Sequence, residues 1–95
     1  MGIARVNNSE WYVYVVRCAD DTLYCGVTTD LRRRIDQHNS GKGAKYTRSR
    51  RPVSLEWWDK CEGMGDAYRR EYRIKRLPRR EKLEMISNGI NKNKP

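Results

Sequence analysis

The sequence predicts an α+β domain in which a small three-stranded antiparallel sheet is flanked by helices, in the order ββαβαα. Three observations carry this expectation. Two short aromatic and β-branched runs lie too close together for anything but an antiparallel hairpin. Apolar residues then recur at helical spacing behind a capping residue. A third strand-like run follows a proline, and two further helical stretches come after it.

Residues 1–10 are polar and aperiodic, and a disordered tail is expected there. Trp11-Tyr12-Val13-Tyr14-Val15-Val16-Arg17-Cys18 has strong strand chemistry. Ala19-Asp20-Asp21-Thr22 supplies turn residues, and Leu23-Tyr24-Cys25-Gly26-Val27-Thr28 forms the second strand. Tyr14 and Tyr24 share a sheet face only if the loop has odd length, such as Asp20-Asp21-Thr22, or contains a bulge. Thr29 is read as a helix N-cap, with Asp30 favourable at the positive helix end. Leu31, Ile35 and His38 recur at i, i+4 and i+7, so residues 30–39 read as an amphipathic helix that Ser40-Gly41 ends.

Residues 40–51 read as a loop. It holds Lys42, Lys45, Arg48, Arg50 and Arg51, with Tyr46 between the cations and no acid. After Pro52, a third strand is expected from Val53 to Asp59, with Val53, Leu55 and Trp57 on one face. Glu62-Gly63-Met64-Gly65 reads as a flexible joint. Asp66 is expected to cap a helix over 66–77, and Pro78 to begin another over 79–88. Asn88-Gly89 stops that helix, and 89–95 reads as a second disordered tail. The domain is thus expected to span residues 11–88.

Composition narrows the function classes. The 95 residues are 37% hydrophobic and 35% charged, enough for one thin core and too few for separate cofactor and substrate domains. Twenty-one Lys and Arg oppose twelve Asp and Glu, a net charge of +9. Such a field attracts polyanions, and nucleic acid is the expected partner. The longest apolar run, Trp11 to Val16, is far too short to span a membrane, and residues 1–10 contain no apolar secretory segment. Cys18, Cys25 and Cys61 have no CxxC spacing, and the chain has one histidine. They read as reduced, buried thiols of a cytoplasmic protein rather than a zinc site.

Several residues break their local pattern. Arg34 lies at the edge of the Leu31–Ile35 stripe, either to lay its stem along the core or to hold a guanidinium against the sheet, where it can clamp an oxyanion. Glu71 points to the Ala67–Ile74–Leu77 side of its helix. A carboxylate there needs a salt bridge, for which Arg34 is one candidate, or a hard divalent cation. Tyr12, Tyr14 and Tyr24 are ordinary strand residues or working phenols. His38, on the Leu31 stripe, reads first as a core-edge hydrogen-bonding residue. Cations around Tyr46 suit phosphate contacts plus stacking. The run Arg69 to Lys82, with eight basic and two acidic residues, is a solvated face or part of the same surface.

Together, Tyr12-Val13-Tyr14, Tyr24-Cys25-Gly26, the arginine helix Thr29-Asp30-Leu31-Arg32-Arg33-Arg34-Ile35-Asp36-Gln37-His38 and the distant Glu71 resemble the GIY-YIG nuclease superfamily. The match runs from about Trp11 to Leu83 and looks closest to its small stand-alone bacterial branch. The resemblance implies phosphodiester hydrolysis in DNA with a divalent metal, Mg²⁺ or Mn²⁺, in a setting of repair or recombination. It puts the catalytic arginine on Arg34, the two triplet tyrosines on Tyr14 and Tyr24, the helix position often held by His or Tyr on His38, and the metal-binding glutamate on Glu71. Tyr12 stands where the family has glycine and Cys25 where it has isoleucine, both outside the implied chemistry. A further C-terminal polar residue of some members has no clear counterpart, and the extra recognition domains of many relatives are not expected. A protein partner that presents the substrate fits so small a module.

Two other readings compete with a nuclease. One is a nucleic-acid-binding module without catalysis, which has no use for an inward carboxylate near phosphate. The other is an adaptor that docks on an acidic protein through residues 66–88.

Overall fold

The computed structural model describes residues 10–89. Seven elements follow in order: β1 (Trp11–Arg17), β2 (Leu23–Thr28), α1 (Leu31–Asn39), α2 (Lys45–Arg48), β3 (Ser54–Cys61), α3 (Met64–Lys75) and α4 (Arg79–Gly89). The strands form one antiparallel sheet in the order β2-β1-β3. The expected ββαβαα order is therefore present, with the short helix α2 added inside the basic segment. The expected tails at 1–9 and 90–95 lie outside the described residues. Glu10, assigned by sequence to the first tail, accepts hydrogen bonds from Tyr12 Oη and Lys60 Nζ.

The central strand is apolar on both faces, because both are covered. Val13 and Val15 join Cys25, Trp57, Cys61, Ala67 and Ile74 on the side of α3, where Met85 and Ile86 of α4 also pack. Tyr14 and Val16 join Cys18, Leu31 and Val53 on the side of α1, with Tyr24 and Ile35 beside them. This doubly buried strand explains why Trp11–Val16 is a continuous apolar run instead of an alternating one.

The β1–β2 turn fulfils the parity requirement. Cys18 N donates to Thr22 O at 2.8 Å, which leaves the three-residue loop Ala19-Asp20-Asp21, one residue earlier than expected. Asp21 closes it in the left-handed region at φ 71°, a conformation aspartate tolerates. Tyr14 then pairs with Gly26, and Val16 with Tyr24, so both tyrosines lie on the α1 face.

Several boundaries differ from expectation. The cap of α1 is Asp30, not Thr29: its Oδ1 accepts from Arg33 N at 3.1 Å, while Thr28 Oγ1 accepts from Asp30 N. In β3, Val15 pairs with Trp57 but Val16 pairs with Leu55, so Glu56 is an extra residue in a bulge. The bulge flips the side-chain alternation. Val53 and Leu55 therefore pack on the α1 face and Trp57 on the α3 face, correcting the expected common face. Helix α3 begins at Met64, so half of the expected flexible joint is helical. Asp66 is the third helical residue rather than the cap, and its carboxylate reaches back to accept from Glu62 N at 2.9 Å.

Candidate active site

The register of β1 and β2 sets Tyr14 and Tyr24 beneath α1, and α1 supplies Arg34 and His38 one turn apart. Tyr14 Oη lies 2.8 Å from His38 Nε2. Arg34 Nε donates to the same phenolic oxygen at 3.4 Å, and Arg34 Nη1 donates to Gln37 Oε1 at 3.0 Å. The Tyr24 ring stands 5.5 Å from the His38 ring, edge to face. Gly26 permits this arrangement, because a Cβ there would sit 2.5 Å from Tyr14 Oη. The second triplet needs its glycine so that the buried tyrosine can lie across the neighbouring strand.

Tyr14 and His38 are both fully buried. Burial pushes the Tyr14 phenol up to about 12, with Arg34 pulling the other way. Burial, and then the Arg34 charge, pull His38 down to about 4, so the ring is neutral at pH 7. The sequence reading of His38 as a core-edge hydrogen-bonding residue understated its burial: both ring nitrogens are occupied, Nδ1 by Thr47 Oγ1 at 2.7 Å.

The depressed histidine carries a stability prediction. Its folded pKa lies below the unfolded value of 6.5, so below 6.5 the unfolded chain binds the extra proton. The contribution is complete above pH 6.5 and is lost as pH falls toward 4, a loss of about 3 kcal/mol at about 1.4 kcal/mol per unit. Urea unfolding at pH 7 and pH 4 should show this excess loss in the wild type and not in His38→Gln. Equal losses in the two proteins would remove His38 as the cause.

The basic segment folds over the same edge. Tyr46 stacks on Tyr24 at 5.7 Å and 22°, and the Arg50 guanidinium lies 3.9 Å above the Tyr46 ring. Arg50 also donates to Asp20 Oδ2 at 3.1 Å and to Tyr46 O at 2.8 Å. Arg51 donates to Arg48 O and Asn39 O. These two arginines therefore fasten the segment, whereas Lys42, Lys45 and Arg48 are exposed.

Glu71 stands on α3, in the layer across the sheet. Its side chain is 17% exposed, and its carboxylate pairs with Lys75 Nζ at 3.2 Å, not with Arg34. Lys75 reaches round the edge strand, with Nζ 5.8 Å from the Tyr24 ring centroid. A cavity of about 260 Å³ opens there, lined by Tyr24, Tyr46, Lys75 and Lys82 over Val15, Leu23 and Cys25. Burial, and then the Glu71 charge, push the Cys25 thiol up to about 12, which leaves it unreactive at neutral pH. Tyr14, Tyr24, Arg34 and His38 thus form one cluster, and Glu71 meets it through Lys75 round the β2 edge.

Thr47, Gln37, Lys75 and Lys82 were not singled out from the sequence. Lys75 had a signal, standing four residues after Glu71 on a helix. Thr47 had none inside a segment read as irregular. Among the described residues, no group of three or more His, Cys, Asp or Glu could hold a metal ion. A single, partly exposed carboxylate nevertheless suits a hard cation that keeps several waters and takes its other ligands from a substrate phosphate.

Comparison with known proteins bears on the family and the fold. The sequence model of the GIY-YIG catalytic domain matches residues 10–84. A UPF0213 protein of Nitratidesulfovibrio vulgaris is 52% identical over 77 residues, covering 81% of this chain and 70% of its own. The UPF0213 protein of Staphylococcus haemolyticus is 52% identical over 75 residues, covering 79% and 92%. The solution NMR structure of a UPF0213 protein from Bacillus halodurans superposes with a TM-score of 0.56 at 44% identity, covering 86% of this chain and 88% of the other. That of a protein from E. faecalis gives 0.59 at 38% identity, with the same coverage.

Proposed function

Because the chain belongs to the GIY-YIG catalytic-domain family, a nuclease-like family, we propose that it is a metal-dependent endonuclease that hydrolyses DNA phosphodiester bonds. The observation that supports this reading is the cluster of a held guanidinium, two phenols and a histidine on the α1 face, which Glu71 approaches through Lys75 round the β2 edge, beside exposed cations. Arg34, half-buried and bonded to Tyr14 and Gln37, supports the charge that builds on the pentacovalent phosphorus. Glu71 would hold Mg²⁺ or Mn²⁺, which when bound supplies Lewis-acid stabilisation of the phosphate and the leaving oxyanion. Tyr24, as the phenolate, takes the proton of the attacking water. Tyr14 is unsuited to that step, since it is fully buried, bonded to His38 and pushed up to about 12. Lys75, over the Tyr24 ring, offsets the negative charge of that phenolate before the transfer.

Lys42, Lys45 and Arg48 supply phosphate contacts. Changing all three to Glu should weaken duplex binding and lower the magnitude of its log–log salt slope by about 2–3. Binding measured between low and moderate salt checks this, and an unchanged slope would take α2 out of the interface. Arg50 is left alone in that variant because it holds Asp20 and Tyr46. The proposed setting is cytoplasmic DNA repair or recombination, with a protein partner presenting the substrate. Among the described residues, no helix is long and apolar enough to cross a membrane.

The Glu71–Lys75 pair favours one alternative, a nucleic-acid-binding module in which lysine merely neutralises the acid. Incubation of the full chain with duplex, single-stranded and branched DNA, with and without Mg²⁺ or Mn²⁺, separates the two. Cleavage confined to the metal-containing samples supports the nuclease. Binding without cleavage of any of these DNAs would leave the binding module.

A further inference from the structure

We infer that Thr47 is a positioning residue: by accepting a hydrogen bond from His38 Nδ1, it holds the imidazole in the Nδ1–H tautomer and so turns the Tyr14 hydroxyl proton toward His38 and its lone pairs toward Arg34. The catalytic consequence rests on the nuclease reading; the tautomer itself does not.

The tautomer follows from both ends of one hydrogen-bonded chain. At one end, Arg34 Nε can only donate, so at 3.4 Å the Tyr14 oxygen accepts. The Tyr14 proton is then free for His38 Nε2 at 2.8 Å, and that nitrogen must be bare. At the other end, the Ala44 carbonyl can only accept, so at 3.0 Å the Thr47 hydroxyl proton points to it. Thr47 Oγ1 is then an acceptor toward His38 Nδ1 at 2.7 Å, and that nitrogen must carry the proton. The two ends share no group, yet they require the same ring state. The opposite tautomer would take the Thr47 proton from Ala44 and leave the Tyr14 proton without this acceptor, among side chains that are fully buried.

The surrounding backbone is shaped for this contact. A Cβ on Gly43 would fall on His38 Nδ1 and Cα, so only glycine lets the chain pass close enough to bring α2 over the ring. Thr47 is fully buried, although its neighbours Tyr46 and Arg48 face solvent. Arg34 and Thr47 thus stand at the two ends of one chain of three hydrogen bonds through Tyr14 and His38.

The chain has one histidine, so the imidazole ¹⁵N spectrum of the untagged protein contains a single residue. The wild type at pH 7 should show a protonated, pyrrole-type Nδ1 and a bare, pyridine-type Nε2. Thr47→Ser should keep this pattern, and Thr47→Val should shift the proton toward Nε2. A wild type protonated on Nε2 would overturn the inference without any variant, should Thr47→Val fail to fold. An Nδ1–H ring retained in folded Thr47→Val would also overturn it. In cleavage assays, Thr47→Val should lower kcat by about 10–100-fold, the usual scale for a group supporting a reactive residue, with KM little changed. Thr47→Ser should restore it, and a change confined to KM would contradict positioning. If the wild type cleaves no DNA, the nuclease reading falls while the ¹⁵N result still decides what Thr47 does.

Discussion

Arg34→Ala should lower the rate of DNA cleavage by about 10²–10³-fold, with the fold and the DNA affinity close to wild type. The size follows from how the guanidinium is held. Its Nε is fixed on the Tyr14 oxygen and its Nη1 on Gln37, so it needs little reorganisation when charge builds on phosphorus. Exposed arginines on the same helix, Arg32 and Arg33, have no such seat. Arg34→Lys should recover less than a tenfold share of the loss, because a point charge does not reproduce a planar fork. Single-turnover rates, with DNA binding and thermal melting measured beside them, check this. Wild-type cleavage by Arg34→Ala would remove Arg34 from the chemistry.

Glu71→Gln should abolish metal-dependent cleavage, a loss on the order of 10³-fold or more if several kcal/mol of Lewis-acid stabilisation disappear. The fold should survive. The pair it breaks is an i, i+4 bridge to a half-exposed lysine, worth about 0.3–0.5 kcal/mol. Lys75 is also the cation that any metal at Glu71 must displace. Mn²⁺ titrations should therefore show weak binding to the free wild type and none to Glu71→Gln. A variant that cleaves like wild type at the same metal concentration would refute the metal assignment. DNA binding should tighten slightly as the carboxylate is neutralised, whichever functional reading holds.

The sheet and the longer helices were legible because each rests on a local period. The shared face of Tyr14 and Tyr24 was legible as a condition on loop parity, which the Ala19–Asp21 loop meets. What escaped depends on partners distant in sequence. The Glu56 bulge is invisible because Val53, Leu55 and Trp57 alternate correctly on paper and only the pairing with β1 reveals the slip. Asp66 satisfies the rule for a cap and the rule for a third helical residue, and the sequence does not separate the two. His38 read as a core-edge residue because helix periodicity places a side chain but cannot show that Tyr14 and Thr47 close over both its nitrogens. Glu71 was visible as an inward acid, whereas Lys75 was hidden in a run of cations taken together.

The most direct measurement compares the cleavage rates of Arg34→Ala, Glu71→Gln and the double variant under one metal concentration. Groups that act on the same transition state are strongly non-additive. One shared centre predicts a double variant no slower than the slower single variant, at the background rate. Losses that multiply, or a single variant that cuts at the wild-type rate, would mean that the guanidinium and the acid do not serve one site.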